Sequence, residues 1–197
     1  ADPPESTILD AVKGAMDFAA DIIIGLGGGS SMDTAKLVAL LCGNPQQLDA
    51  IYGIGLAKGP RLPLIQVPTT AGTGSEVTPI SIVTTPTQEK KGVVSPLLYP
   101  DVALLDAKLT MGLPASITAM TGIDAMVHAI EAYTTKHKKN ALSDGLAIRA
   151  MQLMTAHIDD AVSATPSREA REAMLQGSMM AGMAFPNAPV AAVHALA

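Results

Sequence analysis

The 197 residues include a single cysteine, Cys42, so no disulfide can form within the chain, and a reducing compartment such as the cytoplasm is expected. Long apolar runs are also missing. The longest, residues 22–26 and 37–42, fall well short of the roughly 20 residues that a membrane-spanning helix needs, so no membrane role is expected. Charge is sparse: Asp, Glu, Lys and Arg together make up 16% of the chain, with a net charge of −5. No basic stripe occurs, which argues against nucleic acid as a partner. The first five residues hold neither a basic nor an apolar stretch, so a secretory leader is not expected there. Hydrophobic residues make up 48% of the chain, which describes a packed globular protein with core enough for one large domain or two small ones.

Hydrophobic periodicity predicts a helix over residues 7–20, with Ile8, Val12, Ala15, Met16 and Ala19 on one face. Residues 21–26 (DIIIGL) read as a buried parallel strand, three glycines follow, and 32–41 read as a helix that Gly43-Asn44-Pro45 stops. Further strands are expected at 61–68, 77–84, 92–94 and 102–105. Beyond Leu113-Pro114 the chain becomes rich in Ala and Met. Helices are predicted over 114–133 (one or two), 143–157 and 167–184, the last N-capped by Ser167. The pattern is an α/β part with a mostly parallel sheet, residues 1–112, followed by an all-α part, residues 113–197.

Three stretches carry chemistry. Gly27-Gly28-Gly29-Ser30 lies between a strand and a helix, where free backbone N–H groups favour an anion and Asp33 sits in the first helical turn. A tight turn with no ligand remains the alternative, and the spacing is not GxGxxG. Thr69, Thr70, Thr73 and Ser75 belong to a Thr-Gly loop after a second strand, where ligands of α/β sheets gather, although such residues also cap their own backbone. Asp124 and His128 are four apart on a helix among small apolar residues, so they face one another. They could share a hydrogen bond or a divalent metal. His194 reads from its surroundings as a core histidine, His137 as part of a solvated basic loop and His157 as a helix-end residue. Met174, Met179, Met180 and Met183 read as core filling.

The segments DIIIGLGGGSSMDTAK, PLIQVPTTAGTGSEVT, KKGVVSPLLYPDVALLDAKLT, LPASITAMTGIDAMVHAIEAY and AFPNAPVAAVHALA, in this order, resemble the iron-containing, group III alcohol dehydrogenase family. The resemblance implies a dehydroquinate synthase-like architecture and a chain cut at both ends. It implies that Gly27, Gly28, Gly29 and Ser30 bind the pyrophosphate of NAD or NADP, with Asp33 close by. Thr69, Thr70, Thr73 and Ser75 then line the cofactor groove, and Lys90 matches a lysine near the nicotinamide ribose. Asp124, His128 and His194 become ligands of a divalent metal, Fe2+ or Zn2+, with a further histidine beyond Ala197. Phe185-Pro186-Asn187-Ala188-Pro189 departs from the family pattern by its prolines.

The implied activity is hydride transfer between a primary or secondary alcohol, or the aldehyde or ketone in reverse, and NAD(P). The implied partners are a small-molecule substrate and further copies of the chain, as a homodimer or larger assembly. Two other readings stand beside it: a nucleotide-binding fragment without catalysis, and a same-fold enzyme of the glycerol dehydrogenase or dehydroquinate synthase kind.

Overall fold

The structure, a computed structural model, describes residues 2–188. The elements in order are α1 (Glu5–Asp17), β1 (Ile23–Gly27), α2 (Gly29–Gly43), β2 (Gly53–Ile54), β3 (Leu64–Pro68), β4 (Ile80–Thr84), β5 (Lys90–Val94), β6 (Val102–Ala103), α3 (Ala115–Thr134), α4 (Ala141–Ala161) and α5 (Arg168–Ala184). They form two compact units. One runs to Pro68 and resumes over Thr78–Leu104, and the other joins Thr69–Val77 to the residues from Leu105 onward.

The first unit is built around α2. Met32, Ala35 and the whole stretch from Lys36 to Leu41 are buried, the pattern of a helix enclosed on all sides. Ala35 and Ala39 pack on Leu64 of β3, their small side chains letting helix and sheet approach closely. Leu37, Leu40 and Leu41 turn the other way, onto Ile8 of α1, Val83 of β4, Val93 of β5 and Leu98. The sheet β1-β3-β6 is wholly parallel, with Ile23 opposite Leu64 and Ile65 opposite Val102. A second sheet, β2-β5-β4, joins the parallel pair β2–β5 to an antiparallel hairpin in which Ile80 faces Val94 and Thr84 faces Lys90.

Several expectations shift. Helix α1 starts and stops two to three residues earlier than predicted, because Pro4 supplies a ready N-terminal φ and Ala19 takes a positive φ of 55° after the last turn. Strand β1 is not buried on both faces: Ile24 and Leu26 are exposed, as is Ile22 just before the strand, while Gly25 faces α2. The hairpin β4–β5 stands outside the parallel sheet, and β2 was not foreseen at all.

The second unit holds the three long helices. α3 is one uninterrupted helix, with Thr118, Gly122, Ala125, Met126 and Ala129 buried along one stripe. Helices α4 and α5 pack through Gly177, where an added Cβ would stand 2.5 Å from Met154 Cγ. Ser167 caps α5 as expected, its hydroxyl accepting the Ala170 N–H at 3.0 Å, and Asp160 in turn accepts from both the Ser167 hydroxyl and its N–H. Met174 is buried as predicted, but Met183 is exposed, because it falls on the outer face of α5.

Candidate functional site

The first glycine loop ends β1 and opens α2. Gly27 takes φ +149°, a conformation that side chains rarely adopt, and a Cβ there would meet the Ser31 hydroxyl at 2.6 Å. Gly28 is the N-cap of α2, and the first helical hydrogen bond runs from Met32 N–H to Gly28 O. The N–H groups of Gly29, Ser30 and Ser31 therefore lie ahead of the helical ladder, at its positive end. Ser30 and Ser31 are exposed. This turn can take an anion.

Asp33 does not point along that turn. Its Oδ2 accepts the Ile82 N–H at 3.0 Å, and its backbone carbonyl accepts the Ser81 hydroxyl at 3.1 Å. Beside it lies Lys36, which is fully buried. The Lys36 ammonium donates to Ile80 O at 2.7 Å and to Thr78 Oγ1 at 3.1 Å, and stands 3.5 Å from Asp33 Oδ1. Sequence reasoning missed Lys36. The available signal was a lone lysine, three residues after an acid, inside an otherwise apolar helix. It also missed Gln66, fully buried in β3, whose amide donates to Met32 O at 3.0 Å.

The Thr-Gly loop, residues 69–77, packs with the helices. Gly74 takes φ +62°, and a Cβ there would lie 2.5 Å from the Cα of Gly182 in α5. At Gly72 a Cβ would lie 2.8 Å from Cβ of Thr121 in α3. Thr73 is exposed, Thr69 and Thr70 are half-buried, and Ser75 is buried. The Thr73 hydroxyl accepts the Ser75 N–H at 3.3 Å, the self-capping that such residues often provide. Lys90 opens β5 with an exposed side chain, its ammonium 3.3 Å from the Asp2 carboxylate.

On α3, Asp124 and His128 face one another with Oδ2 and Nδ1 4.0 Å apart, too far for a mutual hydrogen bond. The His128 ring is buried and stacks on Phe185, with centroids 4.7 Å apart and planes 21° from parallel. That stacking fixes the ring plane, a positioning role for Phe185 that the sequence did not reveal. A carboxylate and an imidazole four residues apart are donors suited to Fe(II) or Zn, so the pair fits a divalent metal. Among the described residues no third His, Cys, Asp or Glu joins them. The third expected ligand, His194, lies outside the described residues. His157 is anchored locally, its Nδ1 2.9 Å from Leu153 O, and His137 is exposed. No helix among the described residues is long and apolar enough to cross a membrane.

Comparison with known proteins bears on these features together. The family model described as iron-containing alcohol dehydrogenase matches residues 1–107, and the C-terminal model of the same family matches residues 118–197. The sulfoacetaldehyde reductase of Bilophila wadsworthia is 43% identical over 196 residues, covering 99% of this chain and 50% of that protein. The probable alcohol dehydrogenase EutG of Salmonella typhimurium is 45% identical over 199 residues, again 99% of this chain and 50% of that protein. The solved alcohol dehydrogenase from Oenococcus oeni superposes with a TM-score of 0.95 at 37% identity, covering 100% of this chain and 51% of that one. The sulfoacetaldehyde reductase of Bifidobacterium kashiwanohense, solved in complex with NAD+, gives 0.93 at 34% identity, covering 98% and 52%. The chain thus spans about half the length of the curated relatives it matches. With both of its parts matched by the family's models, the chain belongs to the iron-containing alcohol dehydrogenase family.

Proposed function

We propose that this chain carries the nucleotide loop and part of the metal site of an oxidoreductase that moves hydride between a primary or secondary alcohol and NAD or NADP. The observation that carries the reading is the α3 pair: a carboxylate and a buried imidazole facing one another beyond hydrogen-bonding distance, with the ring plane held by Phe185. Asp124 and His128, with His194, hold a divalent ion, Fe2+ or Zn2+. When bound, such an ion acts as a Lewis acid that acidifies the alcohol or polarises the carbonyl in reverse.

The protein's own groups do the rest. The N–H groups of Gly29, Ser30 and Ser31 and the Ser30 hydroxyl receive the pyrophosphate, which Gly27 and Gly28 let approach. Thr69, Thr70, Thr73 and Ser75 border the cofactor groove, and Lys90 stands near the nicotinamide ribose. Phe185 shields one face of His128 from water and keeps its ring from turning. On this reading residues 1–112 serve the nucleotide and residues 113–197 the metal and substrate. The substrate is a small alcohol or aldehyde, the protein works in the cytoplasm, and it assembles as a homodimer or larger homo-oligomer. The relatives' names support the substrate class, and the lone cysteine Cys42 is compatible with a reducing compartment.

The test is NADH formation from simple primary alcohols by the purified protein supplied with Fe2+ or Zn2+. Metal-dependent NADH formation supports the reading. NADH binding without metal uptake or turnover supports a nucleotide-binding protein instead.

A further inference from the structure

We propose that Asp33, Lys36 and Gln66 form a buried polar clamp that aims the N-terminus of α2 at the nucleotide, acting on cofactor binding without touching the cofactor. The proposal rests on the reading of Gly27–Ser30 as the pyrophosphate site.

The clamp grips the second turn of α2 from two sides. On the β4 side, Asp33 accepts the Ile82 N–H through Oδ2 and the Ser81 hydroxyl through its carbonyl, while Lys36 donates to Ile80 O and Thr78 Oγ1. Every one of these bonds crosses from α2 to the segment 78–82. On the β3 side, the Gln66 amide donates to Met32 O. Gly25 makes that reach possible, since a Cβ at that position would lie 2.2 Å from Gln66 Oε1. Residues 32, 33 and 36 are thus tied to β3 and β4, and one turn earlier come the N–H groups of residues 29–31. A helix is stiff over one turn of about 5.4 Å, so rotation at the clamp swings those N–H groups directly.

Charge favours the same arrangement. Helix α2 starts at Gly29, so Asp33 falls in its second turn rather than the first, as the sequence suggested; turned toward the helix N-terminus, its carboxylate would repel a pyrophosphate bound there. Asp33 instead faces inward, its Oδ1 3.5 Å from a fully buried ammonium. The two charges offset each other, and the helix end keeps its attraction for an anion. Lys36, for its part, is buried with an acid and two oxygen acceptors in reach, which meets the requirement for hiding a cation.

The experiment measures NADH affinity, thermal unfolding and hydrogen exchange at the Ile82 amide in the 197-residue chain and three variants. Asp33→Asn keeps an oxygen acceptor for Ile82 and almost the same shape, Asp33→Ala removes it, and Lys36→Met keeps the length of the side chain without its donors. The clamp predicts NADH affinity within about threefold of the parent for Asp33→Asn. It predicts about tenfold weaker binding for Asp33→Ala and Lys36→Met, with faster exchange at Ile82 in Asp33→Ala. Equal loss in Asp33→Asn and Asp33→Ala overturns the proposal, because the Asp33 charge, and not its hold on the Ile82 N–H, then sets NADH affinity. Lower unfolding temperatures with unchanged NADH affinity in the folded variants also overturn it, because the groups are then only structural. A parent chain that binds no NADH removes the pyrophosphate reading, and the clamp's role with it. A parent that binds while Asp33→Ala and Lys36→Met bind equally well removes the clamp alone.

Discussion

Two glycine-bearing loops follow two neighbouring parallel strands, and they use their glycines for different ends. After β1, Gly27–Ser30 leaves the start of α2 partly open, with N–H groups ahead of the ladder and exposed serines around them. After β3, the glycines of residues 69–77 are filled from outside, Gly74 by the backbone of Gly182 and Gly72 by Thr121. In the first loop the glycines are half-buried and the serines beside them exposed. In the second, glycine lets main chain lie against a helix. A glycine in a motif marks a close approach, and only the surroundings show whether the approaching atoms belong to a ligand or to the protein.

The largest expected effect breaks the comparison if it fails. Gly74→Ala adds a Cβ at a positive φ and drives it into the backbone of α5, where nothing flexible can yield. We expect it to destabilise the protein by about 3 kcal/mol or more, read by thermal or denaturant unfolding. Gly27→Ala meets only the movable Ser31 side chain, so its cost is that of the strained conformation, about 1–3 kcal/mol. Its main effect falls on NADH affinity, which drops because Ser31 and the loop must shift. The reverse pattern, with Gly27→Ala the more destabilising and NADH binding untouched, would show that the first loop is packing as well.

The smallest effect concerns the frame behind both loops. Hydrogen bonds from Arg61, and then the Leu64 N–H at the start of β3, hold the Asp101 carboxyl down at about 2. A depressed carboxyl contributes stability above its ordinary titration range, and that contribution disappears as pH falls through its folded value. Asp101→Asn should therefore flatten the acid limb of stability between about pH 4 and pH 2 and change little in its shape at neutral pH. Because Asp101 is largely exposed, the shift should be small. An unchanged acid limb would mean that Arg61 does not hold Asp101 in solution.

The sequence showed the helices best, because their apolar stripes and caps are local. Ser167 with the run that follows predicted the start of α5 to the residue. It showed the parallel strands β1 and β3 through their short β-branched runs, but not that one face of β1 is bare, since exposure depends on what lies across the sheet. The two-residue strand β2 left no pattern to find. Asp124 and His128 were legible as a facing pair from their spacing alone. The inward turn of Asp33, the burial of Lys36 and Gln66, the stacking of Phe185 on His128 and the seating of residues 69–77 on α3 and α5 were not. Each depends on a partner at least 34 positions away in sequence, except the Asp33–Lys36 pair itself.

The most direct test of the account is Fe2+ binding, measured side by side for the protein and its Asp124→Ala variant, with NADH affinity recorded on the same samples. The variant is expected to lose the metal and keep the nucleotide, because Asp124 stands on α3 while the proposed pyrophosphate loop is built from β1 and α2. A variant that takes up Fe2+ as well as the parent would contradict the assignment of Asp124 as a ligand, and with it the metal centre proposed on α3.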